Sequence, residues 1–302
     1  MKRLSLVALT LGMPLAVLAQ TVYTDDFTTD GSLATPPWYN ISSSTTASAA
    51  LNPGVGLALT VSSGTGRDQQ EVAQFSGTPI TLASVGDYLT FTVHFSGTGM
   101  AADTGGLLVG LLNTQGTPAN ANEVTTATGG ATANDTGYFG IMGYNTTAGT
   151  STKFYTRQGG VAAANELGYY SKMTAGTFVQ ITGASFPAAG NAILADSTAY
   201  TLSYTILNNG VSGNVITAVI KNGANTTLDS WTSTDNSGVG GAGLYNSFDE
   251  IAFGNYGKAG PVNLNITQVQ VTDLIQPVPE PATFALAGLG MLGLVMVRRA
   301  RR

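Results

Sequence analysis

The chain contains no cysteine. That excludes disulfide frameworks, thiolate metal sites and cysteine nucleophiles. A body of more than 200 residues can bury a large core without such staples. Histidine occurs once, at His94, so a His-rich zinc site cannot be assembled. Charge is scarce too, with 12 Lys and Arg, 17 Asp and Glu, and 10% charged residues in all. Polarity is carried by Thr, Ser, Asn and Gly instead. No Gly-x-Ser-x-Gly elbow and no His-Glu-x-x-His zinc helix is present. Between the two ends of the chain there is no long apolar pattern of period 3.6, which argues against helices there.

What charge there is lies unevenly. Lys2, Arg3, Arg298, Arg299, Arg301 and Arg302 are half of the basic residues. Residues 20–276 keep six: Arg67, Lys153, Arg157, Lys172, Lys221 and Lys258. Sixteen acidic residues in the same segment bring it near −10, against −5 for the whole chain. Such an acidic body argues against nucleic acid and against an anionic membrane as a binding surface.

Both ends read as targeting segments. At the C-terminus a stiff Pro279-Glu280-Pro281 triad precedes an apolar run from Ala282 to Val297, interrupted by Thr283 and three glycines. As a helix that run would be roughly 24 Å long, slightly short of a hydrocarbon core of about 30 Å. Snorkelling arginines or local thinning close such a gap. The terminal arginines keep their end on the cytoplasmic side, so everything before Pro279 faces away from it. A single-pass tail anchor would share this composition. The order of triad, apolar helix and arginine cluster resembles the PEP-CTERM sorting signal of Gram-negative bacteria. That resemblance implies recognition and processing by an exosortase, a membrane cysteine protease, in bacteria that make exopolysaccharide and biofilm material. At the N-terminus, Lys2 and Arg3 precede a short apolar stretch to Leu18, and Val17 and Ala19 sit where signal peptidase cuts. Cleavage between Ala19 and Gln20 is expected. The organisation is then a signal peptide over 1–19, one domain over 20–276, and a sorting segment with a transmembrane helix over 277–302.

The domain reads as β structure. Short runs of Thr, Val, Ile, Tyr and Phe are separated by Gly, Asn, Asp and Ser. Val22 and Phe27 are expected inward, with Trp38 and Ile41 as core or rim packing. Residues 88–95 alternate cleanly, placing Leu89, Phe91, Val93 and Phe95 on one face and Tyr88, Thr90, Thr92 and His94 on the other. A histidine on such a polar face is ordinarily solvated or locally bonded; on a concave face it would meet a glycan. Residues 107–112 are continuously apolar, as in a strand buried on both sides. Asp68 and Glu71, three apart on a strand, diverge and read as surface charge. Tyr200, Leu202, Tyr204 and Ile206 share a face, and Asn208-Asn209-Gly210 and Lys221-Asn222-Gly223 signal the turns of a meander. Val262, Leu264 and Ile266 share one phase and Val269 and Val271 the other, which predicts a β-bulge near Thr267-Gln268.

Many short strands in one uninterrupted body predict an all-β, two-sheet antiparallel sandwich of jelly-roll type. Asp26-Phe27, the meander, and a last strand ending Val269-Gln270-Val271-Thr272-Asp273 resemble the concanavalin-like and laminin-G-like jelly rolls. In relatives of that kind calcium often ties the first strand to the last, which makes Asp26 and Asp273 weak metal candidates. Retaining glucanases on this architecture carry Glu-x-Asp-x-Glu, which is absent here, and the carboxylates Asp68, Glu71, Glu123, Glu166, Asp249 and Glu250 are scattered. The reading is therefore a non-enzymatic surface or matrix protein, with signal peptidase and an exosortase-like protease as processing partners and exopolysaccharide as a candidate ligand. Tyr138, Tyr144, Tyr155, Tyr169 and Trp231 are candidate glycan contacts, although ordinary sheet packing would account for each. A glycoside hydrolase or lyase with carboxylates meeting across strands, and a self-associating scaffold without ligand, are the alternatives.

Overall fold

The computed structural model describes residues 19–33, 37–42, 47–61, 67–124, 132, 134–146, 151–159, 178–187, 190–236, 244–257 and 260–275. Its strands run in chain order as follows. The first half holds β1 (Gln20–Asp26), β2 (Tyr39–Ser42), β3 (Ala47–Asn52), β4 (Gly56–Val61), β5 (Arg67–Gln74), β6 (Ile80–Thr81), β7 (Tyr88–Thr98), β8 (Gly106–Asn113) and β9 (Glu123–Val124). The second half holds β10 (Thr136–Gly143), β11 (Thr152–Arg157), β12 (Phe178–Phe186), β13 (Tyr200–Asn208), β14 (Asn214–Asn222), β15 (Thr227–Asp235), β16 (Ser247–Phe248), β17 (Glu250–Gly257) and β18 (Val262–Leu274).

Two eight-stranded sheets and a small β6–β16 ribbon result. The first sheet has the order β15-β14-β13-β7-β18-β4-β3, and the second β12-β11-β10-β8-β17-β5-β2-β9. The expected two-sheet antiparallel sandwich is the observed one; only β2 and β9 pair in parallel. Strand β18 is the spine of the first sheet. One of its edges pairs with β7 along most of its length. The other pairs first with β4, over Val262–Ile266, and then with β1, over Gln268–Asp273. The change of neighbour coincides with a register shift between Ile266 and Gln268, where alternation predicted a bulge.

The first sheet is one-sided. Strands β7, β13 and β14 alternate strictly between buried and half-exposed residues. Their inner rows meet the second sheet across the core, Phe91 against Phe253 and Tyr204 against Phe154. Here Trp38 and Phe253 lie 5.2 Å apart edge to face, as do Phe27 and Trp38 at 5.4 Å. Such pairs add about 0.5–1.5 kcal/mol each beyond their buried area.

The second sheet is buried on both faces. Every residue of β17 is buried, as are all of β8 except Asn113. Its inner face adds Val109, Leu111, Tyr138 and Phe253 to the main core. Its outer face carries a second apolar cluster that includes Leu108, Leu112, Phe139, Tyr155 and Phe178. Several close approaches depend on glycine, two of them around β17. A side chain at Gly105 would meet the Tyr256 carbonyl, and one at Gly254 the Gln69 carbonyl.

The meander appears as β13-β14-β15, with one difference from expectation. Asn208 pairs with Asn214, so the first connection is a five-residue loop, not a two-residue turn. It contains a single 3-10 turn, Gly210–Ser212, and the Asn208 carboxamide oxygen accepts from Gly210 N–H at 2.8 Å. The side-chain bond outcompetes a tight hairpin.

Candidate functional site

The aromatic residues proposed for sugar contact turn inward or are covered. Tyr138 and Tyr144 lie on the inner phase of β10 and its end and are fully buried. Tyr138 Oη donates to Asp235 Oδ2 at 3.1 Å and accepts from Asn214 Nδ2 at 3.0 Å. Tyr144 Oη donates to Asn255 Oδ1 at 2.5 Å. Burial pushes both phenols up, with Asp235 adding to the effect on Tyr138 and Asp103 to that on Tyr144. Tyr155 faces outward from the second sheet, yet it is buried and lies edge-on to Phe178. Trp231 packs into the main core at 5% exposure. None of the four offers a free ring face to a sugar: alternation assigns a side chain to a face, whereas a covered face depends on the rest of the fold. Tyr169 lies outside the described residues.

Glu71 departs from the surface charge expected of it. Glu71 is 1% exposed, between the sheets, where Asn40 Nδ2 donates to its Oε1 at 2.7 Å. Burial raises it to about 7. Asp249 is buried and spans a loop, its two oxygens accepting from Thr114 N–H and Oγ1, each at 2.8 Å. Asp135 and Glu250 do meet across strands, flanking the end of β8, and both are fully buried. Burial is the main cause of their raised pKa values, Glu250 reaching about 7 and Asp135 lying well above the carboxylate range. The Arg157 guanidinium, 5.0 Å over the Phe178 ring, offsets part of the rise. Arg157 Nε donates to the Asp135 carbonyl at 3.0 Å and Nη2 to the Thr132 carbonyl. The group knits the second sheet together. Glu166 lies outside the described residues.

The metal candidates are separated. Asp26 pairs with Gln268 and Asp273 with Gln20, at opposite ends of the β1–β18 ladder. Five residues of strand put them roughly 17 Å apart, too far to share one calcium ion. Asp26 is engaged locally, its Oδ1 accepting from Thr28 N–H at 3.0 Å and Thr28 Oγ1 at 2.6 Å. The first and last strands are tied by backbone pairing. The oxygen-bearing run Asn134-Asp135-Thr136 is engaged within the protein as well, with Asp135 facing Glu250 and its carbonyl accepting from Arg157. Among the described residues no group of three or more Asp, Glu or His is placed to hold a metal ion.

His94 is locally bonded, as expected of a histidine on the polar face of a strand. It stands half-buried on the open face of the first sheet, and its Nδ1 lies 3.1 Å from Thr201 Oγ1. Burial lowers its pKa, so the ring is neutral near pH 7. It lines a cavity of about 320 Å³ with Ser96, Thr201, Asn222, Asn225 and Thr267 among others. Thr267 is the bulge residue, and Asn222 and Asn225 flank the β14–β15 turn, where Asn225 takes a φ of 61°. The hollow thus arises where the bulge and the turn interrupt two strands. A second cavity, of about 370 Å³, lies beside Trp38, Tyr39 and Asn122. There the Trp38 indole is committed to packing, and its Nε1 donates to Asp25 Oδ2 at 2.7 Å.

Beyond Leu274 the chain enters the segment that sequence reading marked as a sorting signal. Residues 277–302 match the PEP-CTERM protein-sorting motif. Pro279, Glu280, Pro281, the expected transmembrane helix and Arg298, Arg299, Arg301 and Arg302 all fall within that match, outside the described residues. At the other end, Ala19 and Gln20 are exposed, and β1 starts at Gln20.

No curated protein matches the sequence. Solved structures of similar shape include the metal-free carbohydrate recognition domain of Emp46p, at 13% identity and a TM-score of 0.48, covering 84% of this chain and 97% of that one. The exoplasmic/lumenal domain of VIP36 in its Ca²⁺/Man3GlcNAc-bound form also has 13% identity and a TM-score of 0.48, covering 88% of this chain and 93% of that one. A protein of unknown function from Shewanella oneidensis MR-1, SO2946, has 12% identity and a TM-score of 0.41 over 92% and 99%.

Proposed function

We propose that this is an exported cell-surface or extracellular-matrix protein, non-enzymatic, sorted through its tail by an exosortase-type membrane protease and binding exopolysaccharide through its sandwich. The observation that carries the reading is the sorting motif over residues 277–302, which starts three residues after the end of β18. The basic, apolar and small-residue order of residues 1–19 supports export with removal of a signal peptide at Ala19–Gln20. The product crosses the inner membrane of a Gram-negative cell, is held transiently by its apolar tail, and is passed to the surface or matrix after processing. Glycan binding is supported by the sparse charge and the abundance of hydroxyl and amide groups, the chemistry that recognises sugars.

The test is made in a Gram-negative host with and without an exosortase. The full-length chain should yield a body lacking the tail only when the protease is present. Glu280→Ala together with Pro281→Ala should leave the unprocessed chain in the membrane fraction. Equal processing of both proteins, or intact full-length chain in the cytosol, would overturn the proposal.

A further inference from the structure

We infer that the open face of the first sheet, together with the His94 cavity at its margin, is the binding site for a neutral polysaccharide; this rests on the glycan-binding reading above and gives it a location. The strand registers place Thr232, Thr217, Thr205, Thr90, Thr272 and Thr21 side by side across β15, β14, β13, β7, β18 and β1. Six adjacent strands make that row about 24 Å long. Two residues further along the strands, the next row includes Ser203, Thr92 and Gln270. The third row brings Thr201 and His94 to the cavity.

Three properties of this face point to the ligand. First, it is uncharged where it is widest. Neither of the first two rows contains Asp, Glu, Lys or Arg, although the body as a whole is strongly acidic. A charged polymer would lose hydration there and gain no counter-charge, whereas a neutral one exchanges hydroxyl partners at little cost. Second, the hydroxyls are held in place. Thr90 and Thr205 Oγ1 atoms lie 2.8 Å apart, and those of Thr217 and Thr232 lie 3.1 Å apart. Threonine is also stiff at χ1 in a strand, so little order remains to be imposed on binding. Third, the cavity leaves polar atoms over. His94 Nε2 has no partner among the described residues, while Nδ1 contacts Thr201. Asn222 Oδ1 accepts from Ala224 and Thr226 N–H groups, which fixes the carboxamide and leaves its Nδ2 to donate. The geometry provides a ring-sized hollow with imidazole, amide and hydroxyl groups, continuous with a flat hydroxyl-bearing track.

The experiment is affinity electrophoresis of the purified full-length protein through gels containing a neutral β-glucan, a neutral galactomannan, or the polyanion alginate. At least one neutral gel should retard the protein, and alginate should not. The Thr205→Glu/Thr217→Glu variant should lose about tenfold or more in affinity, and His94→Ala a smaller amount. Thr205→Val/Thr217→Val keeps the β-branched shape and should also weaken binding while melting like the parent. Thr78→Glu, at an exposed position between β5 of the second sheet and β6 of the small ribbon, should bind as the parent does. Retardation by a neutral gel that none of the face variants alters would refute this site and leave the glycan-binding reading standing. Failure of every neutral gel to retard the parent would refute both, and selective retardation by alginate would refute the neutral ligand.

Discussion

The sharpest consequence of the buried carboxylates is a stability that falls as pH rises. Glu71 illustrates it because its titration is not entangled with another acid. Its carboxyl lies between the sheets, with Asn40 Nδ2 bound to Oε1 at 2.7 Å. Burial moves it from 4.5 to about 7. Below the lower value the folded and unfolded chains are both protonated, and Glu71 contributes no pH dependence. Between the two values the folded chain retains a proton that the unfolded chain has released, so each further rise in pH favours unfolding. A gap of one pH unit between the folded and unfolded pKa is equivalent to about 1.36 kcal/mol, so this one group removes about 2.5 kcal/mol between pH 5 and pH 8. Glu71→Gln keeps the shape and an acceptor for Asn40 but cannot ionise. The variant should therefore lose about 2.5 kcal/mol less than the parent over that range. In a domain of this size that corresponds to a difference of about 5–10 °C in the Tm change. Thermal melts followed by Trp38 and Trp231 fluorescence at the two pH values read it directly. Glu250 and Asp135 act in the same direction in both proteins and cancel in the comparison. Equal losses in parent and variant would show that Glu71 does not titrate across this range, and the reasoning would fail.

Two other outcomes test the packing. Tyr204 Oη is buried with no hydrogen-bond partner among the described residues, so Tyr204→Phe should raise stability by about 1 kcal/mol or more in urea unfolding; destabilisation would reveal a partner for the hydroxyl. Gly254→Ala drives a methyl group into the Gln69 carbonyl and the Gln70 backbone on the neighbouring strand β5, and should cost about 1–3 kcal/mol. An unchanged midpoint would mean that β17 and β5 can separate locally without penalty.

Alternation made the first sheet legible before any coordinates. Leu89, Phe91, Val93 and Phe95 are buried as their phase required, and the phase change in the last strand is the bulge at Thr267. These are local properties: a strand with one wet face must alternate, and a register slip must show in the sequence. The second sheet was harder to read. Residues 107–112 announced burial on both sides, yet Tyr138, Tyr144 and Tyr155 read as candidate surface rings. Their strands carry aromatics on both phases, so the pattern does not separate a covered face from an open one.

The sequence by itself carried the sorting motif at residues 277–302 and, ahead of it, a cysteine-free, charge-poor chain patterned for β-sheet. The tertiary structure alone decided which polar groups go inside. Asp135 and Glu250 lie far apart along the chain and come together because β10 and β17 both flank β8. Thr21, Thr90, Thr205, Thr217, Thr232 and Thr272 look scattered and form one row only through the registers of six strands. Pairing between distant strands is set by how both sheets close over a common core, and no local stretch of sequence records that closure.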